Sequence, residues 1–214
     1  MYSPVRHGRW GNLLLRRRTA FAAGVVLLLF LPLFANAFAG QRSPVWPRGV
    51  VRVFDESGMS ETVATAASRW NSSGAGVHFK IVDDKRQADL IVRADDHWLL
   101  RHCGRDCLGY STSIGRPSGG HTTVILRSSL GGPTRPLSVW VAAHELGHVL
   151  GLQHRKGHKC SVMSPHAFDT RCAPSLAHTE PTMAELACVP APSDVDVAAT
   201  MYGGAAASRD PRCK

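Results

Sequence analysis

The chain has 214 residues, a formal net charge of +9, 44% hydrophobic residues and six cysteines. That length bounds it to one domain with short additions. No basic stripe interleaved with aromatics is present, so nucleic acid is not expected as a partner.

The first 39 residues have the composition of an export signal. An arginine-rich start is followed by an uncharged apolar run from Ala20 to Phe34 and then by small residues, "ANAFA". This predicts a signal peptide cut after Ala37 or Ala39. An uncleaved signal anchor is the alternative, because the apolar segment approaches a spanning length of about 20 residues. The leader carries five arginines and no acid, so the remaining chain has a charge of only about +4. An exported, extracellular domain over 40–203 is expected, with a short tail over 204–214. After cleavage nothing in it calls for a membrane, and a monomer is expected.

Within that domain strands and helices alternate. "GVVRVFDE" reads as a strand, and "SETVATAASRW" as a helix with Val63, Ala66, Ala67 and Trp70 on one face. "VHFKIVD", "DLIVRA", "LGYSTSI" and "HTTVILR" read as four further strands. The apolar "LSVWVAA" then enters a helix from Pro136 and runs into "HELGHVLGLQH", His144 to His154.

His144 and His148 are four residues apart and share a helix face. Gly151 can take a left-handed conformation and end the helix, turning His154 back towards the other two imidazoles. Three neutral imidazoles converging on one point make a zinc site with its fourth position open. Glu145 sits beside them as a general base and not as a ligand. An amphipathic helix with solvent-facing histidines would leave the glycine and the third histidine unexplained. After a polar loop comes "CSVMSP", a turn around Met163 closed by Pro165. A last helix is expected with Ser193 as its cap and with Asp194 and Asp196 in its first turn. The other histidines, His78, His97, His102, His121, His158, His166 and His178, are scattered and read mostly as surface residues. His158 and His166 flank the triad and are candidates for substrate contact.

All six cysteines follow the leader, which suits a disulfide framework in an exported chain. The preferred pairing is Cys103–Cys107, Cys160–Cys172 and Cys188–Cys213. The competing reading, a thiolate metal site, lacks paired CxxC knuckles.

These motifs resemble the metzincin metallopeptidases, and among them the matrixins. The likeness extends to Trp70 ending a helix, to Phe79 in a strand, to Ala88-Asp89 opening the next strand, and to "SDVDVAATMYGG" closing the domain. The resemblance implies an α/β fold with a twisted, mostly parallel five-stranded sheet and one antiparallel edge strand. A zinc helix, a Met-turn with Met163 beneath the metal, and a C-terminal helix complete it. It places the edge strand at Leu108–Ile114, with Leu108, Gly109, Tyr110 and Ser111 beside an extended peptide substrate. It makes Ser164–Cys172 the wall of the specificity pocket, and Asp194 a brace for the Met-turn. The implied activity is a secreted endopeptidase using one catalytic Zn2+. A cell-wall peptide amide hydrolase and a non-catalytic binding domain on the same scaffold are the alternatives.

The chain departs from the matrixin pattern in four places. Arg155 stands where matrixins carry serine, and Pro165 occupies the place of the tyrosine found in the astacin and serralysin branches. Ligands for structural Ca2+ or a second Zn2+ are not evident, since "GYSTSIGRPSGGHTTVILRSS" offers His121 but no acidic cluster. No cysteine-switch prodomain is expected, and "DPRCK" resembles part of one at the opposite end.

Overall fold

The structure is a computed structural model, and it describes residues 44–132, 135–156, 161–165 and 188–205. The expected leader, the tail beyond Ala205, the pocket wall beyond Pro165, and His158, His166 and His178 lie outside them. So do Cys160, Cys172 and Cys213.

Five strands form one sheet: β1 (Val50–Asp55), β2 (His78–Ile81), β3 (Leu90–Ala94), β4 (Gly109–Ser111) and β5 (Thr122–Leu126). Their order is β2-β1-β3-β5-β4. All pairs are parallel except β4 with β5, in which Tyr110 faces Ile125. The central strands are rich in Val, Ile and Leu because parallel strands are covered on both faces. Val51, Val53, Leu90, Val124 and Leu126 are accordingly buried.

The other edge, β2, is half solvated, and Ile81 is exposed. Asn71 blunts that edge: its side chain accepts from Phe79 N at 2.7 Å and donates to Phe79 O at 3.0 Å.

Helix α1 (Ser60–Ser72) buries Val63, Ala66, Ala67 and Trp70, the face predicted by its spacing. It packs at the β2 side of the sheet and against a later helix, α3 (Pro136–Val149). The Trp70 indole donates to Ala143 O in α3 at 2.9 Å. This satisfies the one polar atom of a large buried ring.

Between β3 and β4 lies a helix that the sequence reading passed over, α2 (Asp96–His102). It is too short for a helical period to emerge. Its one local signal is Asp95, whose carboxylate accepts from Trp98 N at 2.8 Å as an N-cap.

The last helix, α4 (Pro192–Tyr202), corrects the expected cap. Ala191 is the cap residue, Pro192 opens the helix, and Ser193 already lies inside it. Proline's fixed φ suits the first helical position and moves the start forward. Asp194 does the capping by accepting from Ala191 N at 3.2 Å, while Asp196 falls beyond the first turn.

A candidate metal centre under an open strand edge

Helix α3 is buried along its whole length, from Ser138 to Val149. A helix so apolar would carry histidines at great cost unless each polar atom were satisfied. Two of them are. His144 Nδ1 lies 2.6 Å from Val162 O, and His148 Nδ1 lies 2.8 Å from Leu152 O. A carbonyl only accepts, so each Nδ1 carries the proton and each Nε2 presents a bare lone pair.

The Nε2 atoms converge. His154 Nε2 stands 3.2 Å from that of His144 and 3.1 Å from that of His148. Tetrahedral zinc with Zn–N bonds of about 2.05 Å sets neighbouring nitrogens about 3.3 Å apart. Ligand atoms of the three side chains all lie within 4.8 Å of one another. Lone pairs facing one another repel unless a cation lies between them, so this donor set fits zinc.

Electrostatics agree. Burial first, and then the neighbouring His148, push the His144 imidazole down to about 3. Burial likewise lowers His148. Both rings therefore stay neutral at physiological pH, the form that ligates metal. Trp140, one turn before His144, stacks on its ring at 5.2 Å between centroids.

The turn that returns His154 forms as its spacing suggests. The helix ends at Val149, Gly151 has φ of 100°, and its N–H donates to His148 O at 2.8 Å. Beyond His154, Arg155 N donates to Met163 O at 2.9 Å, and Arg155 Nη1 donates to Ser193 O at 2.8 Å. The residue that departs from the matrixin pattern thus ties the third histidine to both the Met-turn and α4.

Met163 is fully buried, and its sulfur occupies the space that a Cβ on Gly147 would need. Its turn hangs on Asp194, which has no exposed surface. That carboxylate accepts from Ser161 Oγ at 2.5 Å and from Val162 N at 2.7 Å. Val162 is also the residue whose carbonyl orients His144. Asp194 is therefore both a helix-terminal acid and a brace.

Glu145 is 4% exposed, and burial pushes its carboxyl up to about 8. Strand β4 passes over it. A Cβ on Gly109 would stand 2.7 Å from Glu145 Oε1 and 2.9 Å from Val141 Cγ1. Only glycine lets the strand come so close to the carboxylate.

As the last strand in the sheet, β4 leaves its outer edge open to a cleft of about 1010 Å³. Leu108, Gly109, Tyr110 and Ser111 line the cleft, as do the three histidines, Glu145, Ser164 and Pro165. Regular pairing is shorter than the expected Leu108–Ile114. After Ser111 the chain turns, with Ser111 Oγ donating to Ser113 O at 2.8 Å.

The Cys103–Cys107 disulfide is formed at the cleft rim. Cys188 is also disulfide-bonded, with a partner outside the described residues. His121 joins no second metal-binding cluster among the described residues. Sequence reasoning had no means of finding the orienting carbonyls of Val162 and Leu152, which any residue could supply. Trp140, four residues before His144, was a readable signal.

Comparison with curated proteins gives no significant match. Among solved structures the chain is similar to one titled "Structure of myroilysin", with 20% identity and a TM-score of 0.35. The similarity covers 51% of this chain and 52% of that one, so this chain spans about half the length of the structure it matches. The family model described as Matrixin matches residues 51–172. More than half of the sequence, including the strands, the histidine helix and the Met-turn, thus fits one family, and the chain belongs to the matrixin zinc metallopeptidases.

Proposed function

We propose that this chain is a secreted, monomeric zinc endopeptidase that cuts extended polypeptides. Residues 40–203 would form the peptidase domain, 1–39 a cleaved leader and 204–214 a tail. The observation that carries the reading is the convergence of three imidazole Nε2 atoms beside a buried carboxylate, under an unpaired strand edge. A strand edge facing an open cleft can take up an extended peptide by main-chain hydrogen bonds. The disulfide at the rim supports an oxidising compartment, and no described helix is long and apolar enough to cross a membrane.

His144, His148 and His154 would hold the ion. Zinc, when bound, supplies a Lewis acid that polarises the scissile carbonyl and acidifies water. The chain does the rest. Val162 O and Leu152 O keep two imidazoles in the ligating tautomer. Glu145 accepts the proton of the attacking water and passes it to the departing amine. Burial raises this carboxyl, which makes it a stronger base towards the proton of the attacking water. The β4 edge aligns the peptide so that the attacked carbonyl lies in register with that carboxylate.

Purified domain is expected to cut a mixed peptide library at internal bonds. A chelator should abolish the cuts and added zinc should restore them. Peptides left intact by folded, zinc-loaded protein would overturn the reading.

Gly109→Ala should lower kcat by about tenfold or more, since a small misplacement of a catalytic group is costly. The methyl must displace either the Glu145 carboxylate or Val141. Wild-type kcat in that variant would show that the strand does not constrain Glu145.

A further inference from the structure

One end of the cleft is a built wall. The loop 103–107 joins α2 to β4 and is closed on itself by the Cys103–Cys107 disulfide. Arg127, at the end of β5, clamps it from behind, with Nε donating to Cys107 O at 2.8 Å and Nη2 to Arg105 O at 2.6 Å. At its other end α2 is fastened by Asp96, which accepts from Ser128 N at 2.6 Å and Ser128 Oγ at 2.8 Å. Behind β4, Trp98 of α2 holds Tyr110 in ring contact, 5.1 Å between centroids. A loop fixed in this way has lost its conformational freedom before any ligand arrives.

The fixed loop carries two exposed charges, Arg105 and Asp106, and only Asp106 lines the cleft. Among the described lining residues Asp106 and Glu145 are the only acids, and no lysine or arginine joins them. Glu145 belongs to the chemistry and is buried, which leaves Asp106 free to meet a substrate. It makes no ion pair with another described residue. An acid-bearing cleft is unexpected in a chain with an excess of basic residues. An exposed carboxylate in a cleft lined by no lysine or arginine complements the head of a long cationic side chain.

We propose that Asp106, seated on the disulfide-closed loop, is a specificity-determining residue that selects a lysine or arginine at one position of the peptide substrate. This rests on the endopeptidase reading of the same cleft. The preference is electrostatic and solvent-exposed, so it should weaken as ionic strength rises.

The test compares zinc-loaded wild type, Asp106→Asn and Asp106→Lys on peptide pairs differing only by Lys or Gln at each position in turn. The readout is the ratio of kcat/KM for the two members of a pair within each enzyme, which is independent of how much enzyme is active. Wild type is expected to favour Lys at one position by about fivefold. The ratio should fall towards unity in Asp106→Asn and in wild type at 1 M salt, and drop below unity in Asp106→Lys. Peptides cut with no Lys preference, or with a preference that all three enzymes share, would overturn this inference and leave the endopeptidase reading intact. No zinc-dependent cut by wild type in any pair would overturn both.

Discussion

Replacing Glu145 by Gln should remove about three orders of magnitude from kcat while zinc stays bound, because the carboxylate moves the proton and the three Nε2 atoms hold the ion. Metal content measured alongside turnover checks both halves, and a variant that turns over like wild type would end the assignment of Glu145. The same substitution has a second effect in the metal-free protein. Burial raises the Glu145 carboxyl from 4.5 to about 8. Its contribution to stability is thus fully present below pH 4.5 and is lost as pH climbs towards 8, where the unfolded chain ionises freely and the folded one does not. Glutamine has no such slope. Metal-free Glu145→Gln should therefore match wild type near pH 4.5 and exceed it by about 3 kcal/mol near neutrality. The histidines slope the opposite way, since His144 stays neutral in the fold down to about 3. They are common to both proteins and cancel in the difference. Zinc should erase much of the gain, because a cation nearby favours the ionised carboxylate.

Asp194→Ala is expected to cost about 3 kcal/mol of stability, read from denaturant midpoints, and to weaken zinc binding by about tenfold or more. Three donors lose their acceptor at once: Ser161 Oγ, Val162 N and Ala191 N. Two of them fix the Met-turn, and through Val162 O the loss reaches His144. Asp194→Asn separates shape from charge. Its amide oxygen can accept from both backbone N–H groups while its amide nitrogen donates to the serine hydroxyl. Burial raises the Asp194 carboxyl against the pull of those hydrogen bonds. Its stability contribution is therefore full below the unfolded value of 3.8 and falls as pH rises. The asparagine variant should lose less than the alanine variant and compare better with wild type at neutral pH than in acid. Equal losses in the two variants would show that the hydrogen bonds do not carry the brace.

The parts legible in sequence were those in which spacing has a geometric meaning. His144 and His148 at a helical interval, Gly151 and His154 after them, and the face of α1 ending in Trp70 all stand where their periods place them. The edge strand and the Asp194 brace came through the resemblance to matrixins, and both are present. Cys103–Cys107 was preferred because it closes a small loop, and it is formed. Helix α2 was not legible, since its seven residues are held by Asp95, Ser128 and ring contacts instead of an apolar stripe. The start of α4 was misplaced because serine is an excellent cap in general, and the proline before it overrode that preference. The closeness of Gly109 to Glu145 is a long-range fact, and no local pattern encodes it.

The far end of α3 has a feature with a temporal meaning. Its final carbonyls are met by side chains from distant parts of the sequence, Trp46 Nε1 donating to Val149 O at 2.6 Å and the Tyr202 hydroxyl to Leu150 O at 2.7 Å. Asp194 likewise comes long after the turn it supports. A chain made from its N-terminus thus has Trp46 before its histidines, but Asp194 and Tyr202 only well after them. A chain made only as far as His154 carries the motif without Asp194 and Tyr202. Translation itself separates the appearance of the catalytic residues from the assembly of the catalytic site.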